Sequence, residues 1–346
     1  MTDAAGPAAG WVLGVDSGGS GMRVALARAV AGDPAPPSVA GSVALWEPVR
    51  TGPGGIEAAH MLGQLVPAAR SLLESAGTPG TVAAACVGAA GLATLGDELR
   101  AELPGALARE FGVRHTALAG DAVTAYAGAL GERPGAVLAA GTGLIALGTD
   151  LRSWRRADGW GHLLGDCGSG AWIGRAGLEA ALRAYDGREG GSAALRERAE
   201  AVFGAPLSGL PGRLYPRTDR AAVLASFAPE VARCAAGDAD PAAGGGDPVA
   251  AGILRTAARE MASSAAAVCP QDPTRDGPPV VSLTGGLVHL GEPLLGPLEQ
   301  ELAARLPQAR RVEAAGDPLQ GALLVAAQVA HGSLRLPPDR ALLSIS

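Results

Sequence analysis

Apolar residues along this chain fall into short runs of two kinds. In the first third, 12–15, 24–26, 42–45 and 82–88 are apolar runs of strand length, bounded by Gly, Pro or polar residues. Segments 56–76 and 95–111 instead carry apolar residues at helical spacing. A strand meander followed by helix, strand and helix predicts an α/β domain with a mixed sheet. The pattern restarts with a strand at 116–119, a helix at 122–130 and a hairpin from 136–140 and 144–147. Beyond it the periodicity predicts helices over 171–185, 195–203, 220–236 and 248–269, a strand at 280–283, and helices over 294–306 and 319–331. The Gly-, Ala- and Asp-rich tract 237–247 reads as a surface loop, and 272–279 as a turn. The restart suggests a weak internal duplication. A chain of 346 residues exceeds what one core usually holds, so two domains are expected, 1–117 and 118–346, with the last helix able to pack back on the first.

Two Gly-rich turns interrupt the apolar runs. The first is Gly14-Val15-Asp16-Ser17-Gly18-Gly19-Ser20-Gly21 and the second Gly141-Thr142-Gly143. Glycine admits positive φ and lets backbone approach an anion, so successive N–H groups can face phosphate oxygens. Asp16 reads as the apex of the first turn. It is either an Asx-turn residue or a carboxylate that holds a divalent cation through water. Between the turns stands Asp121, which reads either as the N-cap of the helix starting at Ala122 or as a carboxylate available for proton transfer.

Composition narrows the chemistry. The chain has no lysine, so all 28 basic residues are arginine. That excludes a P-loop, the protein-kinase strand lysine and Schiff-base catalysis. A nucleoside triphosphate would have to be met by backbone N–H groups, Arg and a divalent ion. Asparagine is absent too, which suggests coding bias and lowers the meaning of the Ala, Gly and Arg counts. A net charge of -6 disfavours nucleic acid or an anionic membrane as partner and favours a small molecule. Cys86, Cys167, Cys234 and Cys269 form no CxxC pair, so neither a disulfide framework nor a thiolate zinc site is expected. No signal-peptide pattern and no apolar run of about 20 residues is seen, and a cytoplasmic protein is expected.

Five motifs in order carry a family resemblance. They are Gly14-Val15-Asp16-Ser17-Gly18-Gly19-Ser20, Gly120-Asp121-Ala122, Gly141-Thr142-Gly143, Gly159-Trp160-Gly161-His162-Leu163-Leu164-Gly165-Asp166-Cys167-Gly168-Ser169-Gly170 and Leu283-Thr284-Gly285-Gly286. Together they resemble the N-acetylglucosamine kinase branch of the BadF/BadG/BcrA/BcrD ATPase-like family, within the acetate kinase, sugar kinase, Hsp70 and actin superfamily. The resemblance implies an α/β protein of two ribonuclease-H-like domains flanking a deep cleft. It also implies ATP-dependent phosphorylation of an amino-sugar hydroxyl, N-acetylglucosamine to its 6-phosphate above all, with Mg²⁺ and in a homodimer. By this resemblance Gly18, Gly19, Ser20, Gly141, Thr142 and Gly143 take phosphates, and Gly285 and Gly286 take adenosine. Asp16 serves the metal, Asp121 is the general base, and Gly161 and Asp166 meet the sugar. Asp158, Arg155 and Arg156 read as solvated loop charges, Trp160 as a buried prop for its loop or a stacking surface for sugar, and Asp317 as a helix cap.

Departures from the pattern lie on the sugar side. The Asn residues that amino-sugar kinases of this family place against the sugar are absent, and their loop is replaced by Trp46-Glu47-Pro48-Val49-Arg50-Thr51-Gly52-Pro53-Gly54-Gly55. Glu47, Arg50 and Thr51 are the substitute contacts expected there. Cys167 stands for the usual Glu, and Leu144 for a frequent Ser. Glucosamine and N-acetylmuramic acid remain open as acceptors. An ATPase activator is the second alternative, but the paired Cys with which such activators hold a shared iron-sulfur cluster are not seen in this chain, and a sugar sensor without turnover is the third.

Overall fold

A computed structural model describes residues 10–19, 21–29, 37–52, 55–77, 81–237, 245–272 and 277–346. They divide into two compact units, one made of 1–134, 149–154 and 313–346, the other of 135–148 and 155–312.

The first unit is built on a six-stranded mixed sheet. β1 (Gly10–Gly18) and β2 (Gly21–Ala29) form a hairpin, β3 (Ser38–Leu45) pairs antiparallel with β2, and β6 (Val82–Ala89) and β7 (His115–Gly120) run parallel to β1. β13 (Leu343–Ile345) closes the far edge against β7, giving the order β13-β7-β6-β1-β2-β3. A small ribbon, β4 (Thr51–Gly52) and β5 (Gly55–Ile56), leads into α1 (Ala58–Ser75). β1, β6 and β7 are buried on both faces, which explains their unbroken apolar runs. Trp11, Leu13 and Val15 share a core with Met61 and Leu65 of α1 and with Leu99, Leu103 and Leu107 of α3 (Asp97–Phe111), beyond the short α2 (Leu92–Leu95). The opposite face receives α4 (Asp121–Leu130) and α12 (Pro318–His331), both apolar nearly all round and buried to match.

The division departs from the expected boundary after 117. β7 hydrogen-bonds to β6 in the same sheet, so β7 and α4 fall in the first unit, and α12 returns to pack on β1. The edge strand β13 had no signal in the pattern, being only three residues long.

The second unit carries β8 (Gly135–Ala140), β9 (Leu144–Thr149), β10 (Trp154–Asp158), β11 (Val280–Thr284) and β12 (Arg310–Arg311) in the order β10-β9-β8-β11-β12. β11 is parallel to β8 and to β12. Helices α5 (Gly170–Tyr185), α6 (Ala193–Phe203), α7 (Leu210–Leu214), α8 (Arg220–Ala225), α9 (Ala228–Ala236), α10 (Pro248–Val268) and α11 (Glu292–Arg305) supply the rest of its core. The single helix expected over 220–236 is two, broken at Ser226 and Phe227. Pro229 has no N–H to continue a ladder and instead stands in the first turn of α9. The expected loop 237–247 lies largely outside the described residues. Among the described residues no helix is long and apolar enough to cross a membrane.

Candidate active site

In the first unit the candidate residues gather at the carboxyl ends of the parallel strands, the edge at which open α/β sheets bind ligands. The β1–β2 turn is held open by glycine. A β-carbon on Gly21, at φ 132°, would stand 2.1 Å from the Leu45 carbonyl oxygen. A β-carbon on Gly18 or Gly19 would meet nothing within 4 Å, so both leave room for a ligand. Ser20 lies outside the described residues.

Asp16 is not at the apex of the turn. The close pairing of Gly18 with Gly21 puts Asp16 on β1 opposite Arg23 on β2. Arg23 donates Nε (3.2 Å) and Nη2 (2.6 Å) to Asp16 Oδ2, and Nη1 (2.6 Å) to Asp317 Oδ2. Burial disfavours the Arg23 charge, but the two carboxylates more than offset it and hold its pKa above the usual value. Asp317 caps α12 as expected, in a capping box in which the Gln320 N–H donates to Asp317 and the Asp317 N–H to the Gln320 side chain. Arg23 was missed from the sequence. Its signal was the hairpin register, which sets 16 opposite 23 once the turn is taken as tight.

Asp121 is the first residue of α4 rather than its cap. Gly120 holds the cap position, and the Asp121 Oδ1 accepts the Ala122 N–H at 2.9 Å. Side chains alternate along β1, so Asp16 shares the α4/α12 face with Gly14, whose missing β-carbon makes room for Leu323 of α12. Gly88 pairs with Asp16 across β1 and β6 and lies against Thr124 of α4. The Thr124 hydroxyl in turn donates to the Asp121 carbonyl (2.9 Å). The metal and base candidates thus lie on one face and one edge of the sheet. Among the described residues no group of three or more His, Cys, Asp or Glu could hold a metal. A lone carboxylate with one oxygen engaged by Arg23 still suits magnesium, which keeps waters and binds through one or two carboxylates plus substrate phosphates.

The loop 46–51 is braced on α1. Arg50 donates its N–H to His60 Nδ1 (3.3 Å) and accepts from the Glu57 N–H (2.9 Å), and His60 Nε2 meets Glu47 (3.2 Å). Glu47 and Arg50 also pair with each other. Thr51 is exposed on β4, and Gly55 of the same ribbon packs on the Leu95 carbonyl. The ribbon that follows the loop thus lies against α2, the short helix after β6.

In the second unit the Gly141–Gly143 turn is seated on the start of α5. Gly170 N–H donates to the Gly141 carbonyl (2.9 Å), Ala171 N–H to that of Thr142 (3.1 Å), and Gly141 N–H to that of Gly143 (2.9 Å). Ser169 caps α5 by accepting the Trp172 N–H. The Thr142 side chain is exposed. Gly285 follows β11 at φ 97°, and a β-carbon there would stand 2.4 Å from the Ala140 carbonyl oxygen at the end of β8. Gly286 is exposed beside it with open space around it.

The segment 158–170 is folded back on itself by Asp158 and set against that turn by Asp166. Asp158 accepts the N–H of Asp166 (2.6 Å) and of Cys167 (2.8 Å). Asp166 accepts the Gly161 N–H (3.0 Å) and presses its carboxylate on Gly143, where a β-carbon would meet Oδ2 at 2.7 Å. Both aspartates hold positive φ, 58° and 54°, a strained state for a residue with a β-carbon. Burial pushes the Asp166 pKa up, opposed by the Gly161 N–H and reinforced by the charge of Asp158. Asp158 and Arg156 are therefore not the solvated charges expected. Arg156 anchors on the carbonyls of Asp158 and Gly159 and stacks over Trp160. Trp160 is 65% exposed, not a buried prop. Gly161 is exposed, also at positive φ.

Residues 13–326 match the BadF/BadG/BcrA/BcrD ATPase family. The N-acetylmuramic acid/N-acetylglucosamine kinase of Clostridium acetobutylicum is 42% identical over 69 residues, which span 20% of this chain and 22% of that relative. Among solved structures, a protein provisionally described as an N-acetylglucosamine kinase from Chromobacterium violaceum aligns with a TM-score of 0.66 at 28% identity, over 92% of this chain and 100% of that one. A ROK family glucokinase from Streptomyces griseus, solved with glucose and AMPPNP, aligns with a TM-score of 0.50 at 19% identity over 92% and 98%, a likeness of fold alone. The α/β fold with mixed sheets is that of the actin-like sugar kinases, as the motifs implied.

Proposed function

Because the chain belongs to the BadF/BadG/BcrA/BcrD ATPase family, we propose that it is an ATP-dependent sugar kinase, with the 6-hydroxyl of N-acetylglucosamine as its acceptor. The observation that carries this reading is that Asp16 and the Asp121 start of α4 lie on one face and edge of a single sheet, beside an open glycine turn. In the transfer, Asp121 orients the acceptor hydroxyl and takes its proton. The hydroxyl oxygen bonds to the γ-phosphorus while the bond to the bridging oxygen breaks, and ADP leaves. Bound magnesium would neutralise charge on the transferring phosphate, held through water by Asp16.

Each unit has its own task. The first supplies base, metal carboxylate and the Gly18–Gly19 backbone. The second supplies the Gly141, Thr142 and Gly143 turn for phosphate, the Gly285–Gly286 passage for adenosine, and the 158–170 segment for the sugar. There Gly161 offers exposed backbone, while the buried carboxylate of Asp166 braces segment and turn. Within the first unit, Thr51, Glu47 and Arg50 stand where the family's sugar-side Asn loop is replaced. The partial likeness to a kinase named for both acceptors makes N-acetylmuramic acid the second sugar to try.

ADP release, followed with Mg-ATP and a panel of N-acetylglucosamine, N-acetylmuramic acid, glucosamine and glucose, tests the proposal. Release that depends on an amino sugar supports it. Sugar-independent release would indicate an ATPase, and nucleotide binding with no release a sensor.

A further inference from the structure

We infer that Arg23 is a positioning residue for phosphoryl transfer: it fixes the orientation of the Asp16 carboxylate and ties it to the N-terminus of α12. This rests on the kinase reading, in which Asp16 serves the magnesium that accompanies the nucleotide. Two N–H groups of one guanidinium converge on a single oxygen, Asp16 Oδ2, at 3.2 and 2.6 Å. That arrangement sets the carboxylate's rotation and leaves Oδ1 as the oxygen presented away from Arg23. The third contact, 2.6 Å to Asp317 Oδ2, reaches a residue that is itself fixed. Asp317 is locked in the capping box of α12, and residues 321–329 of that helix are buried throughout. A buried helix therefore holds a cap, the cap a guanidinium, and the guanidinium the carboxylate.

The residue type suits the task. A planar fork can grip two carboxylates in set directions, whereas an ammonium is a point charge. Asp16 and Asp317 flank Arg23, and Asp121 lies on the same face and edge. Both of its ion pairs are only half-buried, so the network is positioned to act on a ligand arriving from solvent.

The test measures ADP binding by calorimetry with and without Mg²⁺, on the full chain and on Arg23→Met, Arg23→Lys, Asp317→Asn and Asp16→Ala. Loss of a group that orients a metal ligand typically costs about 10- to 100-fold in metal affinity. Arg23→Met is expected to weaken Mg²⁺-dependent ADP binding by about that factor and to leave Mg²⁺-free binding unchanged. Arg23→Lys recovers part of the loss. Asp317→Asn keeps the cap and the melting temperature but gives an intermediate loss, which separates positioning from folding. If Asp16→Ala loses Mg²⁺-dependent binding while Arg23→Met and Asp317→Asn bind like the parent, the positioning role is wrong and the kinase reading stands. If Asp16→Ala itself binds Mg-ADP like the parent, the metal assignment falls and the role of Arg23 with it.

Discussion

Gly88 on β6 lies so close to Thr124 on α4 that a β-carbon there would stand 2.7 Å from its Cγ2 and 2.8 Å from its Oγ1. Thr124 sits one turn into the helix that Asp121 begins, and Asp16 is the residue opposite Gly88 on β1. Glycine at this point lets the helix start come down beside the metal candidate. Gly88→Ala is therefore expected to cost about 1–3 kcal/mol of stability, as overpacking does. Turnover should fall further than stability, because the shift moves the Asp121 end of α4. Urea unfolding and kcat measured together check this, and adding Thr124→Ala should restore part of both. A variant with parental kcat would break the link between the two aspartates.

Asp158 satisfies two backbone N–H groups at once, on consecutive residues. Asp158→Ala leaves both without their acceptor, at a cost of about 1–3 kcal/mol for each group left unsatisfied. The effect should be local: faster amide exchange at Asp166 and Cys167 and a raised KM for sugar, with KM for ATP kept. Equal changes in both KM values would show that the segment does not serve the acceptor alone.

The Asp166 pKa is raised, chiefly by burial. For a group raised in the fold, the favourable contribution is complete below its unfolded pKa and is lost as pH rises through the folded value. Asp166→Asn keeps a neutral acceptor for the Gly161 N–H. The parent should therefore lose stability relative to this variant as pH is raised from the acid side of the carboxylate range to neutrality. Denaturant midpoints of the two proteins at acid and neutral pH read this directly, and a gap that moves the other way would contradict it.

Gly285 and Gly286 separate backbone fit from ligand contact. A methyl group on Gly285 meets the Ala140 carbonyl at 2.4 Å with φ at 97°, so Gly285→Ala should lose both stability and nucleotide affinity. On Gly286 a methyl meets no protein atom within 4 Å. Gly286→Ala should keep its melting temperature and lose ADP affinity only if nucleotide passes there.

Strands and long helices were readable because burial on both faces leaves plain apolar runs, as in β1, β6 and α12. Local chemistry also carried the capping by Asp317, since Asp followed three residues later by Gln is a capping box written in sequence. What escaped was long-range. Arg23 reaches Asp317, 294 positions away, and no local pattern encodes that bond. Asp158 looked like a surface charge because its two acceptor bonds depend on how the segment after it folds back. The boundary after 117 failed for the same reason. The apolar pattern marks β7 as a strand but says nothing of which sheet receives it.

The central claim is that Asp121 accepts the proton of the acceptor hydroxyl, and single-turnover transfer of labelled phosphate from Mg-ATP to N-acetylglucosamine by Asp121→Asn tests it most directly. A general base of this kind contributes about 10²- to 10⁴-fold, so the rate should fall by that much while ADP affinity, measured on the same protein, stays parental. Transfer at the parental rate in Asp121→Asn would contradict the account.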